Sequence, residues 1–152
     1  MNDTLSSLFQ KAQSSTIEVN GRTVHSILKI NMMRNQQSFQ LKRLSAKAAP
    51  EQGLRIKVDK GNVEVNGQLH PEVILWASTS PDVVIIKVHA RPGAELKFWN
   101  VWKIDEIIQA WVGNAGIAVE EAERIVTLRC SDGSGEIDFS SLVIEIEEIA
   151  EG

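Results

Sequence analysis

The sequence predicts a mainly β protein: an antiparallel two-sheet sandwich, jelly-roll-like, with a short N-terminal helix. Two observations predict this fold. Apolar and polar residues alternate along many short segments, and turn residues interrupt the chain roughly every eight to twelve residues. The length of 152 residues, 43% of them hydrophobic, suits one ordinary domain. We therefore expect residues 1–15 to form a helix that packs on a single sandwich domain over residues 16–152.

The first segment has the spacing of an amphipathic helix, with apolar residues at Leu5, Leu8, Phe9 and Ala12. Its apolar face needs a covering surface, so we expect it to lie on a sheet or on another subunit. Its polar face carries one lysine, Lys11, which argues against a membrane anchor.

An Asn-Gly pair at residues 20–21 predicts the first β-hairpin, since both residues tolerate the positive φ of a type I′ turn. This turn places Ile17 opposite Val24, so that the apolar faces of the two strands agree. Residues 63–67 repeat the motif of residues 17–21 almost letter for letter. Independent use of a favoured turn explains the similarity better than a duplication, because an Asn-Gly pair after a β-branched residue is what such turns need.

Two more hairpins are expected in the centre of the chain. The first joins residues 54–58 to residues 63–65 through the turn at 59–62. The second turns at Arg91-Pro92-Gly93, and a three-residue loop there would set Val88 against Leu96 and Ile86 against Phe98. Between these hairpins, residues 72–77 read as a strand that is covered on both faces.

Some segments give mixed signals. Residues 35–49 fit a helix or a strand, and we favour a strand at 38–44. Residues 104–112 are also ambiguous, and their β-branched content favours a strand. The glutamates of residues 119–125 suggest a helical turn, before strands at 125–130 and 142–149.

Charge and cysteine content exclude several classes of protein. The net charge of −4 does not suit a protein that binds nucleic acid through phosphates, and the basic residues Lys42, Arg43 and Lys47 read as a solvated face. The single cysteine, Cys130, allows neither an intramolecular disulfide nor a cysteine-based zinc site. The first residues do not resemble a secretory signal, and no apolar run could span a bilayer. We expect a cytoplasmic protein with no cofactor and no membrane partner.

Chemistry-bearing residues are sparse. The three histidines, His25, His70 and His89, are widely separated, and no hydrolase or phosphate-binding motif is present. A hydrolase with a spatially assembled His/Asp/Glu site is therefore the least favoured function. Oxygen-bearing side chains alternate from Asp132 to Asp138 as in a calcium loop, but the EF-hand glycine and final glutamate are missing. An ordinary turn without metal is the favoured interpretation.

Four tryptophans and no tyrosine make the aromatic set uneven. Trp76 and Trp102 are expected in the core. An indole beside amide groups suits stacking on a sugar ring, because the amides can bind its hydroxyls. The candidate ligand-binding residues are Trp99, Asn100, Trp111, Asn114 and His89. Among the tryptophans, Trp99 is the one expected at a site or interface. His89 is expected to face Glu95 across the second central hairpin.

The sequence thus favours a non-catalytic β-sandwich binding module that recognises a saccharide or a protein partner. The alternative is a homo-oligomeric structural or assembly protein. In that case the N-terminal helix and the half-apolar outer face of the second central hairpin would form interfaces.

Overall fold

The computed structural model describes residues 3–150 as a mainly β fold with two antiparallel sheets and one short helix, which confirms the predicted fold class. Residues 1–2 of the predicted helical segment and residues 151–152 of the predicted sandwich domain lie outside this range. The elements of the described residues are α1 (Leu5–Ala12), β1 (Thr16–Val19), β2 (Arg22–His25), β3 (Leu28–Asn31), β4 (Gln36–Ala46), β5 (Glu51–Val58), β6 (Asn62–Val65), β7 (Gln68–His70), β8 (Glu72–Trp76), β9 (Val83–His89), β10 (Glu95–Ile104), β11 (Ile107–Gln109), β12 (Gly116–Ala122), β13 (Ile125–Ser131) and β14 (Leu142–Ile149).

The larger sheet has the strand order β1-β2-β12-β13-β14-β4-β9-β6-β7. The smaller sheet has the order β11-β10-β5-β8. One edge of the long strand β10 pairs with β3 over its first half and with β11 over its last residues. The inward faces of the two sheets enclose the main core, which includes Leu54, Ile56, Ile86, Leu96 and Phe98. Alternate residues of these strands point inward, which explains the period of two in the sequence.

Both Asn-Gly turns form tight hairpins. Ile17 pairs with Val24 as predicted, and the second turn pairs Val65 with Gln68. Asn20 and Asn66 have positive φ values of 50° and 53°. The two similar hairpins, β1-β2 and β6-β7, lie at opposite edges of the larger sheet.

The two predicted central hairpins are wrong, although their strands exist. β5 lies in the smaller sheet and β6 in the larger one. Likewise, β10 lies in the smaller sheet and β9 in the larger one. Val88 pairs with Gln37 and Val63, and Leu96 pairs with Ile30 and Val58. Each turn therefore carries the chain from one sheet to the other.

The ambiguous segments are strands. Residues 36–46 form β4, and the segment 104–112 contains a tight return from the end of β10 into β11. The predicted helical turn at 119–125 is wrong, because β12 and β13 pair there as a hairpin. Its glutamates are exposed because the hairpin end extends beyond the core. The strand expected at 72–77 is only half-buried, because β8 is an edge strand of the smaller sheet.

Helix α1 packs on the outer face of the larger sheet. Thr4 caps its start by accepting a hydrogen bond from the backbone N–H of Ser7. Leu5 is fully buried and forms a second small core with Val24 and Ala118. A Cβ atom at Gly116 would lie 2.9 Å from the side chains of both Leu5 and Val24, so the glycine allows the helix to approach the sheet.

Candidate functional site

The most prominent feature of the predicted site is a pair of stacked tryptophans. Trp99 lies on the outer face of β10, and Trp111 follows β11 in the next loop. Their ring centroids are 5.0 Å apart, at an interplanar angle of 25°. The contact buries Trp99 to 7% exposure, while Trp111 remains 46% exposed. Trp111, and not Trp99, is therefore the ring that a ligand can reach.

Several contacts hold the Trp111 ring in place. Its indole Nε1–H donates a hydrogen bond of 3.0 Å to the backbone carbonyl of Ser26. Its backbone has a positive φ of 59°, which turns the chain after β11. On the Trp99 side, the Arg55 guanidinium lies 5.8 Å from the Trp99 ring centroid and pairs with Glu72 through two hydrogen bonds of 2.9 and 3.1 Å. Stacking and hydrogen bonding therefore hold the Trp99 and Trp111 rings in a fixed position before any ligand binds.

A groove of about 340 Å³ lies between Trp111 and α1. Its apolar lining residues are Phe9, Ile27, Trp111 and Ala115. Its polar lining residues are Ser6, Gln10 and Ser26. The groove thus combines two aromatic rings with hydroxyl and amide groups, as ligand sites commonly do. We call it the Trp111 groove.

The two predicted asparagines support the fold around the groove. Asn100 is buried, and its side-chain amide donates to the backbone carbonyl of Ser131 at 2.9 Å. Asn114 accepts a hydrogen bond of 3.1 Å from the backbone N–H of Leu5 and donates one of 2.9 Å to the carbonyl of Gly135. Asn114 therefore joins the start of α1 to the loop after β11, and neither amide lines the groove.

His89 lies apart from the tryptophans, in β9 of the larger sheet. The predicted contact with Glu95 is wrong, because those two residues belong to different sheets. Its Nε2 atom lies 2.8 Å from the carboxylate of Glu64 on the neighbouring strand β6. This is a cross-strand pair on the larger sheet, and we remove His89 from the candidate site.

The remaining groove residues were missed at the sequence level. The helical spacing placed Phe9 on the apolar face of α1, but no sequence signal linked that face to Trp111. Ser26 lies between β2 and β3 and carries no motif.

Trp76, which was expected in the core, is half-buried. It packs over Gly53 on the outer face of the smaller sheet, and the Lys103 ammonium lies 4.5 Å from its ring centroid.

The loop from Asp132 to Asp138, predicted to be an ordinary turn, is tied together by hydrogen bonds and an ion pair between protein groups. Asp132 is 1% exposed, and its carboxylate lies 2.8 Å from the Lys47 ammonium. It also accepts hydrogen bonds from Gln52 and Ser134. Burial opposes ionisation of Asp132, but these bonds outweigh burial and lower its pKa. Asp138, at the other end of the loop, accepts two hydrogen bonds from Ser140.

Comparisons with protein-family models, curated proteins and solved structures found no match. The function is therefore inferred from the geometry alone. Between residues 3 and 150, no three His, Cys, Asp or Glu side chains are grouped so as to hold a metal ion. Over the same range, no helix has both the length and the apolar character needed to cross a membrane.

Proposed function

We propose that this protein is a non-catalytic binding module that recognises a neutral saccharide in the Trp111 groove. The observation that carries the proposal is the exposed Trp111 ring, fixed by Trp99 and by the Ser26 carbonyl. A sugar ring presents an apolar face of C–H groups that packs on a flat aromatic ring, and its edge presents hydroxyls. The rigid indole offers the first contact at little cost in side-chain entropy.

The polar groups of the groove supply the second contact. Ser6 and Gln10 come from one face of α1, and Ser26 comes from the opposite wall. Hydroxyl and amide groups both donate and accept hydrogen bonds, which matches the dual character of sugar hydroxyls. No charged side chain lines the groove. This composition favours an uncharged sugar over an acidic one.

Intrinsic fluorescence tests the proposal, because Trp111 is the most exposed of the four tryptophans. We expect one or more neutral oligosaccharides of a panel to change the emission saturably. Trp111→Ala should weaken that binding about tenfold or more, the loss of about 1.4 kcal/mol that a central aromatic contact supplies.

The matched control is Val112→Ala, since Val112 is 49% exposed, adjoins Trp111 and does not line the groove. This variant should bind like the wild type. The proposal would be contradicted if no sugar of the panel changed the tryptophan emission, or if both variants lost the same amount of binding affinity. Saturable binding of a protein partner alone, with loss in Trp111→Ala, would replace the saccharide by a protein ligand.

A second candidate function is self-association through the edge of the smaller sheet. Large apolar side chains are exposed there at Ile104, Ile107 and Ile108. β11 is the end strand of this sheet, and an unpaired strand edge offers hydrogen bonds to a second copy. Sedimentation velocity should then show a dimer that Ile107→Lys dissociates. A monomer at all accessible concentrations would remove this candidate.

A further inference from the structure

The smaller sheet has a second end strand, β8, on the side opposite β11. Among residues 3–150, the only strand that pairs with β8 is β5. The backbone N–H of Ala77 donates to the carbonyl of Gln52 at 2.8 Å, directly after the last pair of this ladder. Hydrogen-bonded pairs alternate along an antiparallel ladder. Val73 and Leu75 therefore exchange backbone hydrogen bonds with β5.

The other backbone groups of β8 point away from β5. They belong to Glu72, Ile74 and Trp76, which we call the open edge of β8. The carbonyl of Trp76 accepts hydrogen bonds from the N–H groups of Thr79 and Ser80 in the turn after the strand. Among residues 3–150, the three open-edge N–H groups and the carbonyls of Glu72 and Ile74 have no backbone partner. A row of such groups is a template for another strand.

The side chains at the centre of β8 are apolar on both faces. Ile74 lies on the outer face and is half-buried. Val73 and Leu75 point inward and pack against the main core, but they also remain half-buried. Residues 73–75 include neither a charge nor a proline, the residue types that commonly keep a second strand away from an edge. An added strand would cover these three side chains.

We propose that β8 pairs antiparallel with β8 of a second copy of this chain, about a two-fold axis at Ile74. A two-fold interface must be complementary to itself. In this register Ile74 faces the partner's Ile74, Glu72 faces the partner's Trp76, and Val73 faces the partner's Leu75. All three open-edge residues are then paired. The two Ile74 residues exchange hydrogen bonds, and each Trp76 N–H donates to the carbonyl of the partner's Glu72.

Charge favours a second copy as the added strand. Glu72 is the one charged residue of β8, and Arg55 of its own sheet binds it at 2.9 and 3.1 Å. The Lys103 ammonium lies 4.5 Å from the Trp76 ring centroid and 3.8 Å from Glu51 Oε1, beyond hydrogen-bond distance. In the two-fold arrangement this ammonium approaches the carboxylate of the partner's Glu72. Opposite charges on facing strands stabilise their pairing, and the axis repeats the contact.

Amide hydrogen exchange of the unsubstituted protein tests this pairing. Raising the protein concentration through the dissociation constant should slow exchange of the Ile74 and Trp76 amides about tenfold or more. The amides of Val73 and Leu75 bond to β5 in monomer and dimer alike, so they are an internal reference and should change far less. Sedimentation velocity over the same concentrations should show a dimer.

A pair of matched variants locates the interface. Ile74→Lys sets two lysines opposite each other at the axis and should raise the dissociation constant about tenfold or more. Ile107→Lys makes the same substitution at an exposed position of β11 and should leave this dimer intact. Both variants should bind saccharide like the wild type, because neither residue lines the Trp111 groove. Failure of the saccharide proposal would therefore leave this pairing unaffected.

Two results would overturn the proposal. A monomer even at millimolar concentration, with Ile74 exchange independent of concentration, would leave this edge to a strand of a different protein. Equal or greater dissociation by Ile107→Lys than by Ile74→Lys would show that the dimer depends on β11.

Discussion

The side chain of Leu5 determines whether α1 forms one wall of the Trp111 groove. The residue is fully buried against Val24 and Gly116. Leu5→Ala removes three carbon atoms from this small core, or about 2.4 kcal/mol at about 0.8 kcal/mol for each methylene. An unfilled cavity adds to this loss, and measured Leu→Ala changes run from about 2 to 5 kcal/mol. An eight-residue helix is not stable alone, so we expect α1 to detach while the sandwich remains folded.

Amide hydrogen exchange measures this detachment directly. A loss of about 2 kcal/mol in docking free energy should speed exchange of the α1 amides about thirtyfold, while amides of central strands such as β5 and β14 keep their protection. The affinity for saccharide should also decrease when α1 detaches, because Phe9 and Gln10 then leave the groove. Leu8→Ala, at a half-buried position of the same helix, is the control and should change exchange far less. Exchange of the α1 amides within about threefold of the wild type in Leu5→Ala would show that the Leu5 contacts do not hold the helix on the sheet.

Three further predictions concern the stability and reactivity of the sandwich. Gly53→Ala should lower the free energy of unfolding by about 1–3 kcal/mol, because a Cβ atom there would lie 2.7 Å from the Trp76 ring. Urea titration measures this change, and an unchanged unfolding midpoint would show that the ring moves aside freely. Asp132→Asn should destabilise the protein at pH 7 by about 3 kcal/mol, since it leaves Lys47 without its buried partner. Because folding lowers the pKa of Asp132, this contribution is present above the ordinary aspartate pKa of about 3.9 and is lost as the pH falls through the lower folded value. A difference between variant and wild type that does not shrink as the pH falls below about 3.9 would contradict the assignment. Burial raises the pKa of the Cys130 thiol, so a thiol reagent should label it only on unfolding, and rapid labelling of the native protein would disprove its burial.

Local pairing could be predicted from the sequence where a turn allows only one geometry. The two-residue loops at Asn20-Gly21 and Asn66-Gly67 force the flanking strands to pair, and both hairpins form. The longer turns at residues 59–62 and 91–93 reverse the chain direction without deciding which sheet receives the next strand. Inward-facing strands of either sheet show the same alternation, so the pattern could not distinguish a hairpin from a crossing between sheets.

The candidate site was predicted only in part, for a related reason. Trp99 and Trp111 were both named from the sequence, and the structure stacks them. Which of the two is exposed depends on the return of β11, which folds Trp111 over the outer face of β10. The contribution of Phe9 comes from a helix about a hundred residues away, and only tertiary packing brings it to Trp111.

The indole N–H resonances of the four tryptophans, followed during titration with the neutral oligosaccharide panel, test the proposed function most directly. We predict that the Trp111 signal shifts saturably with a binding sugar, that the Trp99 signal responds through the stacked ring, and that the signal of the core residue Trp102 does not shift. A sugar that binds while the Trp111 signal remains fixed would contradict this prediction.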